Sequence, residues 1–134
     1  MSKIIATILL ALLLGFSGIT YIALESGNVI EVETRDFEGQ TPRVTNIWYV
    51  QSEDGILLEG GHPDNPWVRD LAQIKTIRIR GSGIDGEYRF KLITHQAAHE
   101  EIRERMREKY GWRDWWISCT FNVKNSLMIQ ILPA

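Results

Sequence analysis

The sequence predicts a mainly β, α+β domain, a small closed or half-closed antiparallel barrel, standing behind one apolar N-terminal helix. Three observations lead there. Residues 4–24 run without a single charge. After Gly27 the hydrophobic pattern turns to a period of two and returns to it in about six short segments. The helical spacings between those segments are few and short, which suits hairpins better than the regular strand and helix alternation of a parallel sheet.

The apolar run, IIATILLALLLGFSGITYIAL, holds 21 residues, and at about 1.5 Å per residue it matches the roughly 30 Å hydrocarbon layer of a bilayer. It reads as an uncleaved, single-pass membrane anchor over residues 1–25. A cleaved secretory signal competes, with Lys3 as its positive region and Gly15-Phe16-Ser17 as its cleavage site, although such signals usually carry an apolar stretch of only about 7–15 residues. A buried core helix is the third reading. Lys3 points the domain away from the cytoplasm, while Glu25, Glu31, Glu33, Asp36 and Glu38 beyond the run count little in such a rule. The side on which the domain lies is therefore left open.

Residues 26–134 have the composition of a soluble domain. Val29 to Thr34 alternates, and Arg43 to Gln51 (RVTNIWYVQ) is β-branched and aromatic, so both read as strands around a polar turn at Phe37-Glu38-Gly39-Gln40-Thr41-Pro42. Ile47 and Trp48 take opposite faces of the second strand, so one of them is expected in the core. Glu53-Asp54-Gly55 signals a hairpin into a third strand, Ile56 to Glu59. Pro66 suits the first position of a helix near 66–73, in which Trp67, Leu71 and Ile74 recur at helical spacing. Thr76 to Arg80 and Glu87 to Thr94 form a further hairpin about Ser82-Gly83-Ile84-Asp85-Gly86. A helix from Gln96 to Tyr110 carries a narrow apolar stripe of Ala98, Ile102 and Met106, with Glu101 and Arg105 paired on a solvated face. A short helix from Trp112 to Cys119 and a last strand, Ser126 to Leu132, complete the chain.

The 15 Lys and Arg against 17 Asp and Glu leave a net charge of −2, which argues against a nucleic-acid partner. Cys119 is the sole cysteine; it excludes an internal disulfide framework and a cysteine-rich zinc site and reads as an inert buried thiol. His95 and His99 have the i,i+4 spacing of metal ligands but no third ligand nearby, and no metal is assigned. Trp112, Trp115 and Trp116 share a helix face, either in the core, on a bilayer interface or walling an apolar pocket.

The most informative stretch is Leu58-Glu59-Gly60-Gly61-His62-Pro63-Asp64-Asn65-Pro66-Trp67. A strand runs through paired glycines into a helix start, where backbone N–H groups and the helix dipole can converge on an anion such as a cofactor phosphate. A tight strand-to-helix connection explains the same residues. His62 beside the loop can donate to such a phosphate. In the second hairpin, alternation puts Arg78, Arg80, Arg89 and Lys91 on one face and Ile77, Ile79, Tyr88 and Phe90 on the other; the cations either hold a phosphorylated cofactor or anionic headgroups, or form a charged outer barrel face.

The ordered run of Arg43-Val44-Thr45-Asn46-Ile47-Trp48-Tyr49-Val50, Asp54-Gly55, Gly60-Gly61, Asn65-Pro66-Trp67-Val68-Arg69-Asp70-Leu71 and Ile77-Arg78-Ile79-Arg80-Gly81 resembles the split β-barrel proteins of the deazaflavin-dependent nitroreductase and FMN-binding superfamily, which includes pyridoxamine phosphate oxidase-like members. The likeness covers about residues 28–95 and extends more loosely to Lys109-Tyr110-Gly111-Trp112 and the final strand. It implies a six-stranded antiparallel split β-barrel, often a homodimer, that binds FMN or a deazaflavin by its phosphate in the glycine loop. On that basis Gly60, Gly61, Asn65, Pro66 and Trp67 shape the cofactor site, with Arg43, Thr45 and Arg78 as further contributors. The implied chemistry is hydride transfer between the cofactor ring and an apolar, quinone-like acceptor, with no protein nucleophile or acid–base pair. The alternative is a non-catalytic anchored module that binds a lipid, a haem-like ligand or a partner protein. The chain departs from the nitroreductase pattern at Glu59, where that branch carries a basic residue. A carboxylate there repels a phosphate by a few kcal/mol unless strand alternation turns it to the opposite side.

Overall fold

The computed structural model describes residues 2–25, 27–35 and 41–133. Residues 36–40, which include the first four of the polar turn at 37–42, lie outside the described residues. The chain opens with α1 (Lys3–Glu25), followed by β1 (Val29–Arg35), β2 (Pro42–Ser52), β3 (Gly55–Glu59), α2 (Pro66–Asp70), β4 (Thr76–Gly81), β5 (Ile84–Ile93), α3 (Gln96–Tyr110), α4 (Trp112–Thr120), a 3₁₀ turn (Val123–Asn125) and β6 (Met128–Ile131). Every strand pairs antiparallel with both neighbours, and the order β1-β2-β3-β6-β5-β4 closes into a six-stranded barrel.

Alternation decides what fills it. Ile30 and Val32 of β1, Ile47 and Tyr49 of β2, Leu58 of β3, Ile77 and Ile79 of β4, and Ile129 and Ile131 of β6 point inward. The barrel is thus packed with side chains rather than hollow. Trp67, Val68 and Leu71 join the same cluster from α2 and its following turn. A second apolar layer lies outside the barrel, where Trp48, Val50, Leu57 and Met128 meet Ala23 of α1, Ile102, Met106 and Tyr110 of α3, and Ile117 of α4. Both Ile47 and Trp48 are therefore buried, on opposite faces of one strand, because β2 is covered on both sides. Each such side chain contributes roughly 1.5–3 kcal/mol when fully buried.

Two boundaries differ from expectation. Regular α-helix in α2 ends at Asp70, after which Leu71, Ala72 and Gln73 donate three residues back, to Val68, Arg69 and Asp70. The tighter turn brings the chain round to β4. The turn of the second hairpin is shorter than predicted, and its strands are longer. Gly81 pairs with Ile84, leaving Ser82 (φ +52°) and Gly83 (φ +80°) as a two-residue turn of the left-handed kind that matches strand twist.

Candidate functional site

The five residues assigned to the glycine loop are brought together. The Gly60 N–H donates to the Leu127 carbonyl at 2.6 Å, and the Leu127 N–H donates to the Gly61 carbonyl at 2.8 Å, so β6 is latched to the loop. Asn65 Nδ2 donates to the Gly60 carbonyl at 3.1 Å. The Asn65 N–H donates to the His62 carbonyl at 3.0 Å and the Asp64 N–H to His62 Nδ1 at 3.2 Å. A Cβ on Gly60 would lie 3.2 Å from both the Leu127 carbonyl oxygen and Val68 Cγ2, and one on Gly61, at φ +71°, 2.8 Å from Asn65 Nδ2. Both glycines are thus explained by close approach and backbone conformation. Pro66 opens a helix of only five residues, and Trp67 is buried in the barrel core. These are the contacts of a tight strand-to-helix connection, with the N–H groups of Gly60, Asp64 and Asn65 already used.

The remaining three assigned residues belong to another part of the barrel wall. Arg43 Nε donates to Asp70 Oδ2 at 3.0 Å, and the same oxygen accepts from Thr34 Oγ1 at 2.7 Å, pinning α2 to β1 and β2. Thr45 is half-buried opposite Val32. Arg78 lies on the outer face, pairs with Asp85 at 2.7 Å, and lines a polar cleft of about 380 Å³ with Glu33, Thr34, Lys75, Thr76 and Glu87. Arg80 meets Glu33 at 3.0 Å. The β4–β5 cations do share the outer face, and carboxylates from β1 and β5 are interleaved with them.

A buried ionic cluster went unread in the sequence. Glu59 points out of the barrel, away from inward-facing Leu58, and accepts from Arg103 Nη1 at 2.7 Å and 2.6 Å through its two oxygens. Arg103 Nη2 donates to Asp114 Oδ1 at 2.5 Å and to Ser118 Oγ at 3.3 Å. Burial raises the Glu59 carboxyl above its ordinary value, against the pull of Arg103, and the charge of Asp114 pushes the same way as burial. His99, one turn earlier on α3, has Nε2 3.0 Å from the Ser126 carbonyl. The spacing His99, Arg103, Met106, Tyr110 is the signal that could have shown it, since it places the arginine on the inward stripe.

Tyr110 closes that stripe. Its ring stacks on Trp48 at 4.2 Å and 7°. Its hydroxyl accepts the Tyr49 N–H at 2.9 Å and lies 2.6 Å from the Asn28 carbonyl, to which it donates. Burial drives the phenol well above its ordinary range. Beside it, Lys109 Nζ donates to the Tyr49 carbonyl at 2.7 Å, and burial brings its ammonium down to about 8.

The end of α1 is docked on this assembly. Ala23 is buried, the Leu24 carbonyl accepts from Trp48 Nε1 at 3.1 Å, and Glu25 accepts from Asn46 Nδ2 at 2.7 Å. Trp116 Nε1 donates to Thr20 Oγ1 at 3.0 Å and its ring lies 5.5 Å from that of Phe16. Trp112 and Trp115 are exposed, at 51% and 64%, so the three indoles do not form a core face. Cys119 is exposed too, not the buried thiol expected, because the covered side of α4 is the one carrying Asp114 and Ile117.

No protein-family model matches the chain, and no curated protein matches it. Solved structures do. HutZ, the heme storage protein from Vibrio cholerae, aligns with a TM-score of 0.62 at 13% identity over 88% of this chain and 89% of its own. A FAD-binding protein from Mesorhizobium loti gives 0.56 at 13% identity over 87% and 88%. An F420 reductase gives 0.54 at 11% identity over 85% and 93%. The chain has the split-barrel fold of these proteins, in a divergent sequence.

Proposed function

We propose that the chain is a membrane-anchored oxidoreductase of the flavin- or deazaflavin-dependent kind, moving hydride between the cofactor ring and an apolar, quinone-like acceptor. The observation that carries the reading is the seating of a split barrel, the fold of an F420 reductase and of a FAD-binding protein, on a 23-residue helix of membrane-spanning length. Contacts from Thr20 to Glu25 hold the end of that helix on the domain, and cleavage beyond them would bare Trp48 and Trp116. When bound, the cofactor supplies the hydride chemistry. The chain supplies position. Glu59, the departure that would oppose a phosphate, is turned to the far side of β3 and bound by Arg103. Within the loop Gly60, Asp64 and Asn65 are engaged, so a phosphate there would rely on Gly61 and on exposed His62. A homodimer belongs to the same reading.

The second reading, an anchored module that binds a lipid, a haem-like ligand or a partner without catalysis, is favoured by a loop whose Gly60, Asp64 and Asn65 N–H groups are already bonded within the chain. It is favoured also by the carboxylate partners of Arg43, Arg78 and Arg80, and by the likeness to a heme storage protein. The two separate in proteoliposomes holding the full-length chain. Reduced FMN or reduced deazaflavin should be oxidised by a membrane-soluble quinone faster than in protein-free vesicles, with saturation in cofactor. No acceleration, together with a haemin Soret shift, would transfer the assignment to the second reading.

A further inference from the structure

We infer that the outward side of α4, bearing Trp112, Trp115 and Cys119 and followed by Phe121, docks in the interfacial layer of the lipid bilayer that α1 enters. The inference rests on the anchor reading and follows from where α4 touches α1. From Ile4 to Gly15 the helix carries 12 residues before its first ring contact with the domain at Phe16, which is about 18 Å of helix at about 1.5 Å per residue. A hydrocarbon layer of roughly 30 Å needs about 20 residues. Counted from Ile4, that requirement reaches Ala23. The stretch from Phe16 to Ala23 must then lie at membrane depth or at its border, and Trp116 is packed against that stretch, at Phe16 and Thr20. Helix α4 cannot be clear of the membrane while its own residue sits beside that part of α1.

The surface α4 turns outward suits this position. Trp112 is 51% exposed, Trp115 64% and Phe121 51%. On α1, Phe16, which lies against Trp116, and Ile19 and Ile22 are exposed as well. Indole rings favour the headgroup layer, where an apolar body and a polar N–H are both accommodated. The opposite side of α4 is held by Asp114 and Ser118 on Arg103 and by buried Ile117, so the helix is not free to roll its tryptophans inward.

Cys119, sole and exposed, allows the test in the full-length chain. The protein is labelled there with a nitroxide, reconstituted in phosphatidylcholine and phosphatidylglycerol vesicles, floated and washed with alkaline carbonate. Broadening of the spectrum by oxygen should exceed that by a water-soluble nickel complex, and Trp112→Ser with Trp115→Ser should reverse the ratio. A washed, floated protein whose label is as open to nickel as a free aqueous nitroxide overturns the docking while leaving the anchor intact. Loss of the chain to the carbonate wash overturns the anchor and the docking with it. Spin–spin broadening that vanishes on dilution with unlabelled chain would show a second copy on this face and overturn the lipid assignment.

Discussion

Arg103 holds two carboxylates with one guanidinium in a site where its own side chain, Glu59 and Asp114 are all nearly closed to water. Removing the cation leaves two buried negative charges facing each other, so Arg103→Met should cost about 3–5 kcal/mol in chemical unfolding of the full-length protein. Glu59→Lys, which would set an ammonium against the guanidinium, should be as damaging through folding and not through any phosphate. The pH dependence has a definite sign. Burial, helped by Asp114, raises the Glu59 carboxyl above 4.5 in the folded protein. Such a group contributes stability below its unfolded pKa and loses it as pH rises through the folded one. The advantage of the wild type over Glu59→Gln in urea midpoint should therefore shrink as pH is raised from 4.5 toward neutrality; an advantage that grows over this range would contradict the assignment. Strand alternation already allowed Glu59 to face away from the glycine loop. Its partner was missed because Arg103 sits amid the Glu and Arg of α3, and the inward stripe was assigned to Ala98, Ile102 and Met106 alone.

The elements were legible where periodicity was strong. The β-branched and aromatic run about Ile47 and Trp48, the Pro66 start and the span Gln96 to Tyr110 all fall where their patterns place them. What was lost is what neighbours decide. Trp48 is buried on the strand's outer face only because α1 and α3 cover it, and Trp112 and Trp115 are exposed only because α4 presents Asp114 and Ile117 to the domain. The glycine loop shows the same limit, since paired glycines before a helix fit an anion cradle and a tight connection equally until Leu127 is seen latched onto them. Gly60→Ala tests the latch. Its methyl would press on the Leu127 carbonyl oxygen and Val68 Cγ2 at 3.2 Å, and such overpacking costs typically 1–3 kcal/mol. The midpoint of unfolding should fall accordingly, and an unchanged midpoint would mean that the loop is looser than described.

For the molecule as a whole, α1 and the barrel act as one unit, because Ala23, Leu24 and Glu25 are bound by residues of the barrel and Thr20 by α4. On the anchor reading, membrane fractions should hold chain of full-length mass that resists carbonate extraction, and a mature N-terminus near residues 18–26 would contradict the anchor. The closed six-stranded order could be expected from strand count and the resemblance, whereas the docking of α1 on Trp48 and Trp116 could not, since an apolar run carries no record of which residues touch its end. The proposed chemistry stands or falls on cofactor binding. The most direct measurement is an absorption and fluorescence titration of FMN, and separately of deazaflavin, into the full-length protein in lipid nanodiscs at low salt. Saturable binding of at least one of them, with perturbed ring absorption, is the predicted result; the absence of any change with either cofactor up to millimolar concentration would contradict the oxidoreductase reading.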